Sequence, residues 1–193
     1  HYTEKAVACY GCPIGCEQIA HVKQGPFAGA RTSIDYESLF AFGPNCGIDD
    51  IEAVIAAIDR CDSYGMDTMS TGVTISWAME CFQRGILTKE DFGGVEPTWG
   101  NSQAVVDLVK KIAYREGIGA LLAEGTKRAA AKVGKGSEHF AMNVKGLEAA
   151  GYDARGFQTF ALGCAVGTRG PCHNRSLAYE ADAKGTVDRL TGG

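Results

Sequence analysis

At 193 residues with 45% hydrophobic content, the chain can build one ordinary domain or two small ones around a packed core. Its 19 basic and 23 acidic residues give a net charge of -4 without long runs of either sign, so nothing draws it to nucleic acid or to an anionic membrane. No apolar run approaches the roughly 20 residues of a membrane helix, and the N-terminus lacks a signal-peptide layout. The expectation is a soluble, cytoplasmic protein with no nucleic-acid partner and no membrane insertion. Residue 1 is His, and a cysteine motif opens at Cys9, which leaves almost no structure before it and points to an incomplete chain.

From Asp49 the pattern becomes helical. Asp49 with Glu52 resembles a capping box, Ile51, Val54, Ile55 and Ile58 share one face, and Gly65 is the expected stop. A second helix begins around Thr68 to Thr71, with Met69, Val73, Trp77 and Cys81 recurring every four residues and Gly85 as its terminator. After a Gly/Pro loop near residues 93–100, Asn101 or Ser102 caps a third helix striped by Val105, Leu108, Val109, Ile112 and Ala113 and ended by Gly117. A fourth is expected from about Ala120 to Val133, with Leu121, Leu122 and Ala129 inward and Lys127, Arg128 and Lys132 outward. Phe140, Met142 and Val144 then alternate as in a short strand. Beyond residue 145 repeated glycines interrupt every period, as expected of loops that let backbone approach a ligand.

Eight cysteines could suggest a disulfide framework, but three of them crowd into ACYGCPIGC while the rest scatter through apolar or Gly-rich surroundings. Cys9, Cys12 and Cys16 stand in C-x2-C-x3-C spacing with small residues between. Thiolates are the usual cubane ligands, and the glycines leave amides free for the sulfides, so an iron–sulfur cluster is the leading reading, ahead of zinc and of structural thiols. The spacing reverses the C-x3-C-x2-C loop of radical S-adenosylmethionine enzymes, and the barrel they need is missing. In CDSYGMD, Asp62 and Asp67 flank Gly65 at a junction between helices; Gly65 as C-cap and Asp67 as N-cap is the plain reading, and the amides behind Asp67 would also favour an anionic ligand. In SIDYESLFAFGPNCG, Glu37 sits in a mostly apolar stretch where a buried carboxylate could accept a proton, against the alternative of a solvated helix face. In TRGPCHN, His173 follows a Gly/Pro turn and is either a loop histidine or part of a site.

Taken in order, ACYGCPIGC, DYESLFAFGPNCGI, CDSYGMD, KGLEAAGYDARG and LGCAVGTRGPCHN resemble the aldehyde ferredoxin oxidoreductase family over nearly the whole chain. The resemblance implies a mainly α fold of helical domains without the family's N-terminal β domain. Residues 1–142 would form most of the second domain and residues 143–193 the opening of the third. It further implies a tungsten (or molybdenum) bis-pyranopterin and a 4Fe-4S cluster, aldehyde as substrate, and ferredoxin or an electron-transfer subunit as redox partner, in a chain that could form a homo-oligomer. Cys9, Cys12 and Cys16 would be the first three cluster ligands, with the fourth beyond Gly193. Asp62, Gly65, Met66 and Asp67 match the family's D-x-x-G-L-D pterin loop, with Met in place of Leu. Glu37 and His173 match the acid and the histidine of its metal site. The same scaffold could instead serve a benzoyl-CoA reductase-like complex, and a non-catalytic iron–sulfur or zinc module is the reading from another class.

Overall fold

The computed structural model describes residues 1–175 and 179–184; the rest of the expected segment 143–193 lies outside the described residues. A three-stranded antiparallel sheet comes first, β1 (Thr3–Val7), β2 (Glu17–His21) and β3 (Arg31–Ile34), in the order β1-β2-β3. The stretch before the cysteines is therefore a strand, contrary to the expectation from its shortness. Pairing with β2 supplies the ladder that five mostly exposed residues could not provide alone. The buried side of the sheet, Ala20 and Val22, packs with Ala30 against Ile55 and Ala56.

Behind the sheet lie α1 (Tyr36–Phe42), α2 (Ile51–Tyr64), α3 (Thr68–Gln83) and α4 (Ser102–Tyr114). Asp50 caps α2, accepting from the amides of Glu52 and Ala53, so the cap falls one residue after Asp49. Glu52 is taken up by the hydroxyl of Tyr2 at 2.9 Å instead of closing a capping box. Val54, Ile55 and Ile58 are buried, while Ile51 is 37% exposed at the first turn. Gly65 ends α2 in the left-handed conformation, and its amide donates to the carbonyls of Asp62 and Cys61. Helix α3 is buried almost all round, and two of its hydroxyls are satisfied locally, Thr71 donating to Asp67 O at 2.6 Å and Ser76 to Val73 O at 2.9 Å, while Thr74 meets the Thr126 hydroxyl at 2.8 Å.

Asn101 caps α4, whose Val105, Leu108, Val109 and Ile112 enter the core shared with Phe42, Ile75, Met79 and Phe92. Arg115, not Gly117, takes the left-handed position that ends it. The expected fourth helix is two: α5 (Gly119–Leu122) and α6 (Thr126–Val133). Gly125, at φ 80° and ψ 162°, leaves the helical region between them, and the Thr126 amide freed by the break donates to the buried Glu148 carboxylate at 2.7 Å. Glu148 belongs to a hairpin of β4 (Asn143–Val144) and β5 (Leu147–Glu148), so this bond ties the hairpin to α6.

Phe140 lies in a 3-10 turn and Met142 outside any strand, so only Val144 of the expected alternation is paired. The glycine-rich region is not all loop either. It contains α7 (Gln158–Val166), with Gly163 inside it, and α8 (Tyr179–Lys184), joined by Asp182 accepting from the Thr159 amide and hydroxyl. Among the described residues no helix is long and apolar enough to cross a membrane.

Candidate active site

Helix α1 positions the first functional group. Asp35 is in extended backbone, and its carboxylate accepts from the Ser38 amide at 2.8 Å, which fixes the first turn and with it Glu37. The hydroxyl of Ser38 meets that of Thr68 at 2.9 Å, joining this turn to the start of α3. From the far side a 3-10 turn at His173–Arg175 brings in His173, whose Nε2 lies 2.8 Å from Glu37 Oε1. The two side chains are only 12% and 19% exposed, which rules out the solvated-face alternative for Glu37.

The hydroxyl of Tyr152 donates to the same Oε1 at 3.0 Å. Burial, reinforced by the adjacent Glu37 carboxylate, pushes the Tyr152 phenol far above the ordinary tyrosine range, so it stays protonated and acts as donor. Its ring stands 5.0 Å from that of His173, 5.6 Å from Phe160 and 4.8 Å from Tyr179. Tyr152 belongs to the segment KGLEAAGYDARG, yet nothing in its spacing marks the tyrosine; it was missed because its importance lies in a contact across 115 positions. Asp35 was missed too, although an Asp just ahead of a helical run is a standard N-cap signal.

Glu37 and His173 line a cavity of about 230 Å³ with Asp35, Ser38, Asp67, Thr68, Ser70, Glu148, Arg169 and Cys172. Asp67 therefore joins the pair, as the N-cap of α3 accepting from the Ser70 amide at 2.7 Å. The other members of the expected loop are dispersed around it. Gly65 makes the turn, and Met66 packs on the core and lines a neighbouring cavity of about 310 Å³, which Asp67 also borders. Asp62 faces the sheet and accepts a hydrogen bond from the Thr32 hydroxyl. A larger cavity of about 930 Å³ adjoins, lined mainly by apolar groups such as Phe40, Trp77, Phe140, Tyr152 and Phe160, with Ala150 and Pro171 at its border with the polar one.

The cysteine loop joins β1 to β2 and turns at Gly11 and Gly15, both left-handed, with the Cys12 amide on Cys9 O at 3.0 Å. Cys9 and Cys16 are exposed and Cys12 is half-buried. Glu17 accepts from the Cys9 thiol at 3.6 Å, and that hydrogen bond pushes the thiol up from its ordinary range. Among the described residues no three His, Cys, Asp or Glu side chains converge on a point that would hold a metal ion. The loop does lie at the site's end of the sheet: Val7 pairs with Glu17, the neighbouring Gln18 pairs with Ile34, and Ile34 leads directly into Asp35 and α1.

The family model describing domains 2 and 3 of aldehyde ferredoxin oxidoreductase matches residues 1–192. The chain is 40% identical over 178 residues to the tungsten-containing aldehyde ferredoxin oxidoreductase of Thermococcus kodakarensis, covering 92% of this chain and 29% of that protein. It is 36% identical over 187 residues to the WOR-like subunit of an aliphatic sulfonate oxidoreductase of Pyrococcus furiosus, covering 93% and 30%. Among solved structures it resembles the active-site complex BamBC of benzoyl coenzyme A reductase bound to 1,5-dienoyl-CoA, with a TM-score of 0.71, 25% identity, and coverage of 87% of this chain and 25% of that one. The chain belongs to the aldehyde ferredoxin oxidoreductase family, and its helical architecture is that family's. It spans about 30% of the length of the curated relatives it matches.

Proposed function

We propose that this chain is the part of a tungsten (or molybdenum) pterin enzyme that supplies the acid–base pair for oxidising an aldehyde to a carboxylic acid. Residues 1–142 would belong to the family's second domain and 143–193 to its third. The observation that carries the reading is the Glu37–His173 pair, brought together by α1 and the His173 turn over the same cavity that Asp67 borders.

The lining suits a polar cofactor rich in hydrogen-bonding groups: hydroxyls of Ser38 and Thr68, the amide end of α3 and Arg169 line one cavity with the carboxylates of Asp35, Glu37 and Glu148, and Asp67 lies between it and the next. Asp62, Gly65, Met66 and Asp67 would form the pterin loop, with Asp67 as its contact from this cavity. A metal bis-pyranopterin, when bound, supplies the electron-pair acceptor that no side chain here can provide. Glu37 takes a proton from water as its oxygen adds to the aldehyde carbon, and His173 holds the carboxylate and hydrogen-bonds the developing product. Loss of the aldehyde hydrogen and an electron pair then leaves the acid. Cys9 and Cys16, exposed on a small-residue loop, and the half-buried Cys12 would bind a 4Fe-4S cluster as thiolates, and the short path through β3 to α1 supports an electron route to ferredoxin or a partner subunit.

Anaerobic purification of the full-length protein, metal analysis for tungsten, molybdenum, iron and zinc, and assay with aldehydes and a low-potential acceptor test this. Zinc without tungsten, molybdenum or iron would sink it in favour of a zinc module. The likeness to BamBC and the adjoining aromatic-lined cavity favour one second reading, reduction of an aromatic thioester, which the same preparation tests with benzoyl-CoA.

A further inference from the structure

The geometry points to Tyr152 as a positioning residue that fixes which oxygen of Glu37 does the chemistry; the inference rests on the acid–base reading above. Two groups converge on Oε1: the Tyr152 hydroxyl donates a hydrogen bond at 3.0 Å, and His173 Nε2 makes a close polar contact at 2.8 Å. Among the described residues, Oε2 accepts no hydrogen bond from protein, and Glu37 lines the polar cavity. A carboxylate held on one oxygen by that hydrogen bond and that contact cannot spin about its terminal torsion without losing both. Oε2 is then the oxygen presented to water and substrate.

The ring of Tyr152 makes this hold rigid. It is tilted against His173 and Tyr179 and meets Phe157 edge-on at 6.1 Å, so the phenol cannot follow Glu37 if the carboxylate rotates. The same ring borders the large apolar cavity while its hydroxyl reaches the acid of the polar one. Tyr152 thus stands as the partition between them, and its backbone neighbour Gly151 is pinned from the other side by the Tyr36 hydroxyl at 3.0 Å. An aldehyde whose apolar part lies in the larger cavity would present its carbonyl beside this partition.

The test uses full-length holoenzyme. Tyr152→Phe keeps the ring and removes the hydroxyl; kcat for aldehyde oxidation should fall about tenfold, a factor that one hydrogen bond to a charged group readily supplies, with KM and melting temperature unchanged. In a Glu37→Gln background the same change should have no further effect on residual turnover, because Tyr152 acts through Glu37. A crystal structure of full-length Tyr152→Phe, compared with wild type, should show the Glu37 carboxylate rotated or in two orientations. Wild-type kcat in Tyr152→Phe, or an equal loss in both backgrounds, overturns the assignment, as does an unmoved Glu37 in that crystal structure. Absence of aldehyde turnover by the wild type refutes the functional reading instead, and the crystallographic comparison then decides the role of Tyr152 alone.

Discussion

Gly72 is the point where fold and site can be perturbed together. An added Cβ there would meet Ala41 Cβ and O at 2.7 Å and Ala41 C at 2.8 Å, so α3 lies directly against the backbone of α1. Ordinary carbon contacts sit at about 3.5–4.0 Å, so Gly72→Ala must push the two helices apart by roughly 1 Å. Overpacking of this kind costs about 1–3 kcal/mol, and the helix-propensity gain of Ala over Gly returns only about 1 kcal/mol of it. The net expectation is a loss of up to about 2 kcal/mol. Because α1 carries Glu37 and α3 carries Asp67, the same displacement spreads the site, and a misplacement near 1 Å can cost on the order of a hundredfold in rate. Thermal unfolding and aldehyde kinetics of full-length Gly72→Ala should therefore worsen together. Adding Ala41→Gly should not restore them, since two of the three contacts are backbone. An unchanged melting temperature with unchanged kcat, or full rescue by Ala41→Gly, would refute the packing argument.

Glu37→Gln should leave only a small residual aldehyde turnover while metal analysis finds tungsten and iron retained; normal turnover would remove the carboxylate from the mechanism. Asp67→Ala removes the α3 cap bond at 2.7 Å and should cost about 1 kcal/mol by denaturant titration, with loss of bound pterin in the purified enzyme. Trp77→Phe strands the Ser137 carbonyl that Trp77 Nε1 now reaches at 3.1 Å, and should lower stability by about 1–3 kcal/mol without altering metal content. Burial pushes the Cys46 and Cys61 thiols up to about 12, so both stay protonated at pH 8 and only a trace is the reactive thiolate. Iodoacetamide at pH 8 should label them only after denaturation, and their reaction should rise as pH climbs toward 12; rapid native labelling read by peptide mass spectrometry would contradict their burial.

Much of the helical frame is written locally. Asn101 before an apolar stripe and Gly65 after another announce helix ends because each satisfies backbone groups within a few residues, and Asp67 caps α3 for the same reason. Breaks with tertiary causes were illegible. Gly125 interrupts a continuous amphipathic pattern because Glu148, 22 residues away, is there to take the freed amide, and β1 exists because β2 pairs with it.

The three cysteines of ACYGCPIGC, the order of five motifs and the candidate acid and histidine are properties of the sequence itself, since residue type and spacing define thiolate donors and titratable groups. Which of them meet is a different matter. Glu37 and His173 are joined by chain reversals through α7 and the hairpin, while Asp62 turns to Thr32 on the sheet, away from the cavity that Asp67 borders. Tyr152 acquires its place only there, because a hydrogen bond spanning 115 residues leaves no periodic trace in the chain. Local spacing sets which chemistry is possible, and packing across the fold decides which groups come within the few ångströms at which that chemistry acts.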